Sequence, residues 1–430
     1  MSTTPPTSKP RRPQRRRRRL RVAAFVPAGI VATALLASAC TPATGTTQRV
    51  STTSTGLPFD ATSFAGRLSR DGRFVAMSTE SQLVAPFPTT QVVRKDRTTG
   101  ATIVVSIRPD GQMFLGRNIA QDITADGTKI AFTNIVRDGP NDVETAWVRN
   151  LTTGTTVPVA TTLSGGFSTS HDPDISGNGR FVAFRSSSPS LVTGDTNNRS
   201  DVFVRDLGAG TIRRVSLSFG GNQIPVGADL PRISDDGRFV VFRTTQNLVG
   251  EDTDDNEDVY VRDTVGGITT FESLAGVRTF ARSADISGDG RFVAFRGESG
   301  AGVQAQAWVR DRVTRSVTLI SHTDGSATQE SNNLAFDIDI SEDGRHVAFT
   351  SVANDLVAGD TNSELDVFLS SSDGGPITRL SLRPGGQQTN RANLGGQVAD
   401  GGKVVLFQSD DAALVGGDTN GATDVFVRLV

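Results

Sequence analysis

The chain has 430 residues, of which 36% are hydrophobic and 21% charged, with 44 basic and 46 acidic side chains. Nine basic residues and no acidic ones fall within residues 1–39, which leaves 35 basic against 46 acidic residues in the remainder. An acidic domain without a basic stripe argues against nucleic acid as a partner. The single cysteine excludes a disulfide framework.

The N-terminal segment has the organisation of an export signal. Nine basic residues precede an apolar stretch over residues 22–37, and the small residues Ser38 and Ala39 lead to Cys40. This ending resembles a bacterial lipoprotein box, which implies lipidation of Cys40 and attachment to the outer face of the cytoplasmic membrane. We therefore predict a signal peptide of lipoprotein type over residues 1–39 and a short tether over 40–45. An ordinary cleaved signal or an uncleaved anchor is the alternative.

A short pattern recurs seven times along residues 46–430. It consists of a polar pair, an Asp-Gly or Asn-Gly turn, a basic residue and an apolar run, and Gly401 replaces the turn Asp in the last copy. The turn glycines are 52 to 58 residues apart: Gly72, Gly127, Gly179, Gly237, Gly290, Gly344 and Gly402. Such a turn joins two antiparallel strands because glycine accepts a positive φ. A fixed period of this length predicts a repeat architecture.

Each repeat offers four short strands, which predicts an all-β, seven-bladed β-propeller of four-stranded antiparallel blades. A second long strand follows each turn by roughly twenty residues, as in Asp201–Asp206, and a third follows a glycine turn. The last repeat stops at Val430 one strand short, whereas residues 46–52 resemble that missing strand. We expect the N-terminal strand to complete blade 7 and close the ring.

Four blades carry an acidic loop before the second long strand, with the first and last Asp six residues apart. Oxygen ligands at such spacing are what Ca²⁺ takes, whereas Asp and Asn also close loops as Asx turns without a metal. Both interpretations stay open, and blade 4 is the strongest Ca²⁺ candidate. The candidate ligands are Asp195, Asn197 and Asp201 in blade 3, Asp252, Asp254, Asn256 and Asp258 in blade 4, Asp360, Asn362 and Asp366 in blade 6, and Asp418, Asn420 and Asp424 in blade 7.

A second set of equivalent positions lies one residue before the apolar residue of each inner strand. In a closed ring these positions surround the central channel, where they would bind a polar ligand or ion. The alternative is charge pairing between neighbouring blades. The seven residues are Arg67, Asp122, Asp174, Arg232, Asp285, Asp339 and Gln397.

The repeats resemble those of the TolB-type, or WD40-like, β-propeller family of bacterial envelope proteins. The resemblance covers residues 46–430 and implies a propeller fold and an envelope protein as partner. The separate N-terminal domain that precedes the propeller in TolB-type proteins has no counterpart among the motifs of this sequence, so the same complex is not implied.

We therefore expect a monomeric, non-catalytic binding scaffold at the cell envelope, for which no cofactor is certain and Ca²⁺ is the candidate. One alternative is a Ca²⁺-dependent carbohydrate- or small-ligand-binding protein that uses the channel. A channel-sited hydrolase or lyase is another, with His171 and Asp174 as the residues to test. No Gly-x-Ser-x-Gly motif is present, which argues against a serine hydrolase of that type.

Overall fold

The computed structural model describes residues 1–2, 45–84, 89–138, 141–273, 279–300 and 304–430, without the side chains of residue 141 and residues 279–283. The residues discussed below belong to the compact unit Pro42–Val430. Cys40 and the predicted signal lie outside the described residues. Within the described part of the chain, no helix is long and apolar enough to cross a membrane.

Twenty-eight strands in the described residues form seven four-stranded antiparallel sheets, one for each repeat. The inner strands of blades 1 to 7 are β2 (Ser63–Leu68), β6 (Arg117–Ile123), β10 (His171–Ile175), β14 (Asp229–Ile233), β18 (Thr279–Ile286), β22 (Ala335–Ile340) and β26 (Asn393–Val398). The second strands are β3 (Phe74–Thr79), β7 (Lys129–Asp138), β11 (Phe181–Ser186), β15 (Phe239–Thr244), β19 (Phe292–Gly297), β23 (His346–Ser351) and β27 (Val404–Ser409).

The third strands are β4 (Gln91–Asp96), β8 (Asn141–Asn150), β12 (Asp201–Asp206), β16 (Asp258–Asp263), β20 (Gln306–Asp311), β24 (Asp366–Ser371) and β28 (Asp424–Leu429). The outermost strands of blades 1 to 6 are β5 (Thr102–Val104), β9 (Thr155–Pro158), β13 (Ile212–Arg214), β17 (Ile268–Phe271), β21 (Val317–Leu319) and β25 (Thr378–Arg379). Two short 3-10 turns, η1 (Pro384–Gly386) and η2 (Asp400–Gly402), lie in the last repeat.

The outermost strand of blade 7 comes from the start of the chain, which confirms the predicted closure. Strand β1 (Thr47–Arg49) pairs with β28, and Thr47 lies opposite Arg428. Two further backbone bonds extend this pairing on either side, from Val50 N–H to Val425 at 2.9 Å and from Leu429 N–H to Thr46 at 2.9 Å. The sheet edge of β28 is thereby covered.

The core consists of layers between neighbouring blades. The middle strands are buried on both faces, as Val240, Val241 and Phe242 of β15 are at 0% exposure. This explains why these strands are continuously apolar instead of alternating. Aromatic rings also pack across the two middle strands within a blade, as Phe184 and Phe203 do with ring centroids 5.6 Å apart.

Candidate functional site

A bulge in the inner strand aims one side chain of each blade toward the channel. In blade 1, the register shifts between Phe64 and Arg67, and Ala65 has a positive φ of 50°. A bulge re-aims the side chains that follow it. A positive φ recurs two residues before the channel residue in five blades, at Ala65, Asp172, Leu230, Asp337 and Gly395.

The structure places all seven sequence-predicted channel residues around one cavity of about 280 Å³. This volume is just below the range of about 300–1,000 Å³ that drug-sized ligands occupy. Among the described residues, six carboxylates and three guanidiniums line the cavity, and none of the lining side chains is aromatic. The cavity therefore suits a small polar group and carries an excess of acid.

Five of the seven channel residues accept a hydrogen bond from a backbone N–H of the next blade. Asp122 Oδ2 accepts from the Ile175 backbone N–H at 2.8 Å, and Asp174 Oδ2 accepts from Ile233 N–H at 2.7 Å. Asp285 and Asp339 accept in the same way from the backbone N–H groups of Ile340 and Val398. Gln397 Oε1 of blade 7 accepts from Leu68 N–H of blade 1, and these three distances are 2.8 to 3.0 Å. One oxygen of each side chain thus joins two blades, so these residues have a structural role whatever else they do.

The two channel arginines interact differently. Arg67 Nε donates to the Gln121 carbonyl of the next blade at 2.5 Å, and Arg232 Nη1 donates to the Pro231 carbonyl at 2.7 Å. Arg232 Nε lies 4.0 Å from Asp174 Oδ1. Charge pairing between blades, the alternative interpretation of this ring, therefore accounts for only part of the arrangement.

Burial and mutual repulsion raise the pKa of the channel carboxyls. Burial raises the pKa of Asp174 to about 6, although Arg232 opposes the shift. Burial and the charge of Asp174 raise the pKa of Asp122 well above its usual range, and burial and Asp285 do the same for Asp339. Desolvation and like charges both disfavour the ionised form. A positive charge placed among these carboxyls would favour their ionised form.

A second ring, which the sequence patterns did not predict, is formed by the residue that follows the Ser, Thr or Ala at the start of each turn. Arg70 of blade 1 bonds to Asp400 of blade 7 at 2.5 Å and to Asp235 of blade 4 at 2.6 Å. Blade 4 is nearly opposite blade 1, so these side chains meet across the channel mouth. The Asp235 side chain packs against the backbone of Gly177 and Gly288. A Cβ atom at Gly177 would lie 1.7 Å from one carboxylate oxygen of Asp235, and a Cβ atom at Gly288 would lie 2.4 Å from the other, so both positions need glycine. Alignment of the repeats shows that Arg70, Asp235 and Asp400 are equivalent positions, but it does not show that their side chains contact one another.

In three of the four acidic loops, the chain supplies its own cation. Arg214 of β13 contacts Asp195 and Asp201 in blade 3, with N–O distances of 3.3 and 3.4 Å. Arg379 makes the same contacts to Asp360 and Asp366 in blade 6, and Arg49 to Asp418 and Asp424 in blade 7. Asn197, Asn362 and Asn420 each donate to the last Asp of their loop.

Blade 4 has a different arrangement. Asp252, Asp254 and Asp258 each place a carboxylate oxygen within 4.8 Å of the others. Burial, followed by the charges of Asp252 and Asp254, raises the pKa of Asp258 to about 7. Asn256, the fourth residue suggested by the spacing, donates its backbone N–H to Asp254 at 2.9 Å.

His171 lies at the start of β10 and pairs with Glu144, with Nδ1 2.6 Å from Oε2. It is not among the described residues that line the cavity, whereas Asp174 is. The structure therefore does not bring together the two residues that the sequence offered for a channel-sited hydrolase or lyase. The Ser69 hydroxyl at the cavity donates to Asp71 at 2.8 Å and accepts from Phe74 N–H at 2.9 Å.

Comparison with solved structures identifies the fold. The β-propeller domain of the Trilobed protease from Pyrococcus furiosus, which has an open velcro topology, matches with a TM-score of 0.55 at 12% identity, covering 86% of this chain and 95% of that one. In fold, the chain is a seven-bladed β-propeller. TolB from Acinetobacter baumannii is similar at 16% identity with a TM-score of 0.44, and the two chains overlap over 72% of this chain and 64% of TolB.

A peptidase is also among the similar structures. Porphyromonas gingivalis dipeptidyl peptidase 4 matches at 13% identity with a TM-score of 0.48, over 83% of this chain and 50% of that one. No protein-family model matches the sequence, and no curated protein matches it. At such identities the comparisons establish the propeller fold and leave the activity of this propeller to be argued from its own residues.

Proposed function

We propose that this protein is a non-catalytic binding propeller of the bacterial cell envelope whose channel receives a cationic side chain of a protein partner. The observation that carries the proposal is the excess of six carboxylates over three guanidiniums around the cavity. Arg70 is already paired with Asp235 and Asp400 outside that set, so the excess is available to a ligand. Buried charges are normally paired, and a Lys or Arg side chain would supply the missing partner.

The lining residues favour this ligand over the alternatives. Sugars are usually held against aromatic rings, and the described lining has none. A hydrolase needs a nucleophile next to a base, but the Ser69 hydroxyl is bonded to Asp71 and no histidine is among the described lining residues. Arg70 and its partners narrow one mouth, so a partner would approach from the opposite face, which also carries the acidic loops.

Binding of a hexalysine peptide to the full chain, measured by titration calorimetry, tests the proposal. Asp122→Asn with Asp339→Asn removes two carboxylates but keeps an oxygen to accept from Ile175 and Val398. We expect this pair to weaken binding at least about tenfold. Asp142→Asn with Asp410→Asn, two exposed positions, changes the net charge equally and should leave the affinity within about twofold.

The pH dependence of this binding has a defined sign. Because the channel carboxyls have raised pKa values, with that of Asp174 at about 6, a bound cation displaces protons. Affinity should therefore rise from pH 5 to pH 8, and calorimetry in buffers of different ionisation enthalpy should show proton release. Equal binding of hexaglutamate, or unchanged binding by the channel variant, would contradict the proposal.

We further propose that Cys40 carries the lipid that attaches the protein to the membrane. The support is the small-residue stretch before the sole cysteine, which follows a basic and apolar segment. Metabolic labelling with a fatty acid should mark the wild type and fail to mark Cys40→Ser, which should also leave the membrane fraction. Because no other cysteine exists, label retained by the variant would refute the attachment site.

A further inference from the structure

The acidic loop of blade 4 differs from its three counterparts at two positions, and both differences make the loop more negatively charged. Strand pairing places Arg214, Arg379 and Arg49 opposite Phe203, Phe368 and Phe426 in blades 3, 6 and 7. In blade 4, the matching residue opposite Tyr260 is Phe271. The guanidinium that closes the other loops is therefore replaced by an apolar ring.

The second difference adds an acid. The loop position occupied by Asn197, Asn362 and Asn420 is Asp254 in blade 4. The four matched positions hold two aspartates, one asparagine and one arginine in each of the other loops, which sum to a charge of −1. In blade 4 the same positions hold three aspartates and a phenylalanine, which sum to −3. At these matched positions, blade 4 is therefore more acidic than the other three loops by two charges.

An oxygen of Asp258 is buried and aimed into this loop. Asp258 is 1% exposed; its Oδ1 accepts from Ser273 Oγ at 2.6 Å, and its Oδ2 has no hydrogen-bond partner among the described residues. Asp201 is held in the same way, with Oδ1 on Ser216 Oγ at 2.7 Å, while its Oδ2 accepts from Asn197 at 3.0 Å and lies 3.4 Å from Arg214. The Asp258 oxygen thus faces the place where the other loops hold their cationic group.

The size of the cluster also suits a calcium ion. Ca²⁺ binds oxygen at about 2.3–2.6 Å, so opposite ligands are about 4.6–5.2 Å apart. The three carboxylate oxygens lie within 4.8 Å of one another, and Asp252 is 5% exposed. The Tyr260 hydroxyl bonds to Asp252, which fixes that side chain, and the Phe271 ring packs against Tyr260 with centroids 5.8 Å apart.

We propose that blade 4 binds one Ca²⁺ ion through Asp252, Asp254 and Asp258, in the place that an arginine occupies in blades 3, 6 and 7. The ion supplies the positive charge that joins the loop to the third strand of its blade. This site is independent of the channel, because none of its ligands lines the cavity.

The test replaces the blade 4 side chains with those of the loops that an arginine closes. The chelator-stripped full chain, titrated with CaCl₂ in a calorimeter, should bind one ion with a Kd in the range of about 10⁻⁷–10⁻³ M, and its melting temperature should rise with Ca²⁺. Asp254→Asn with Phe271→Arg supplies the side chains of the other loops, so it should abolish binding while melting in chelator at or above the wild-type temperature. If that pair does not fold, Asp254→Asn alone should weaken binding at least about tenfold.

The reverse exchange in blade 3 is the matched control. Asn197→Asp with Arg214→Phe should create a second ion site and raise the stoichiometry from one to two. The proposal is overturned if the wild type binds no Ca²⁺ at millimolar concentration. It is also overturned if the blade 4 exchange leaves binding unchanged, which would place the ion elsewhere, including the channel.

Discussion

Deleting residues 46–52 should lower the melting temperature by roughly 10 °C, because blade 7 loses its outermost strand. The deletion exposes the edge of β28 and removes Val50, which is 3% exposed and packs with Phe59 and Val75. It also removes Arg49, the cationic partner of Asp418 and Asp424. Losing one buried aliphatic side chain costs about 1.5–3 kcal/mol, and losing one partner of a buried ion pair costs about 3–5 kcal/mol.

Peptide complementation makes this deletion a test of strand pairing. A synthetic peptide of residues 46–52 should restore much of the lost melting temperature, because it can pair with β28 as β1 does. A scrambled peptide of the same composition should not. An unchanged melt of the deleted protein would show that the ring does not depend on its N-terminal strand.

Gly290→Ala should reduce the free energy of unfolding by about 2–5 kcal/mol. Gly290 has a φ of +71°, which costs an L-residue about 1–2 kcal/mol. A Cβ at this position would also lie 2.1 Å from Phe239 Cδ2 of the preceding blade, and such overpacking costs about 1–3 kcal/mol more.

Gly401→Ala is the matched control for the contact with Phe239. Gly401 has the same φ of +71°, but nothing lies within 4 Å of the Cβ position. This variant should therefore lose only the conformational part, about 1–2 kcal/mol. Denaturant unfolding of both variants measures the difference, and equal losses would mean that the contact between blades contributes nothing.

The turn glycines show how far sequence reasoning reached. The Asp-Gly pattern predicts a positive φ, and the structure has it at Gly127, Gly237 and Gly290. The sequence did not show that each of these glycines also packs against the Phe ring of the preceding blade. That second constraint joins residues more than fifty positions apart, so it exists only once the blades are stacked.

The acidic loops also separate what the sequence predicted from what only the packed structure shows. The spacing of their oxygen donors predicts either turns or cation sites, and it marks blade 4 as the richest in acid. The residue that distinguishes the loops lies on the outermost strand of the blade, outside the loop sequence. Arg214 comes 13 residues after Asp201, and Arg49 comes 375 residues before Asp424. Loop composition alone therefore could not separate the three loops that an arginine closes from the one in which Phe271 takes the matched position.

The sequence by itself determined the seven blades, the closure by the N-terminal strand and the ring of channel positions, because a repeat of fixed period places equivalent residues on equivalent strands. Only the tertiary structure decided what those residues contact. It assigned one oxygen of Asp122 and Asp174 to the next blade and brought Arg70 to Asp235 across the channel mouth. It also left Asp258 Oδ2 without a hydrogen-bond partner among the described residues. Such contacts depend on distances between blades, which a local pattern does not specify.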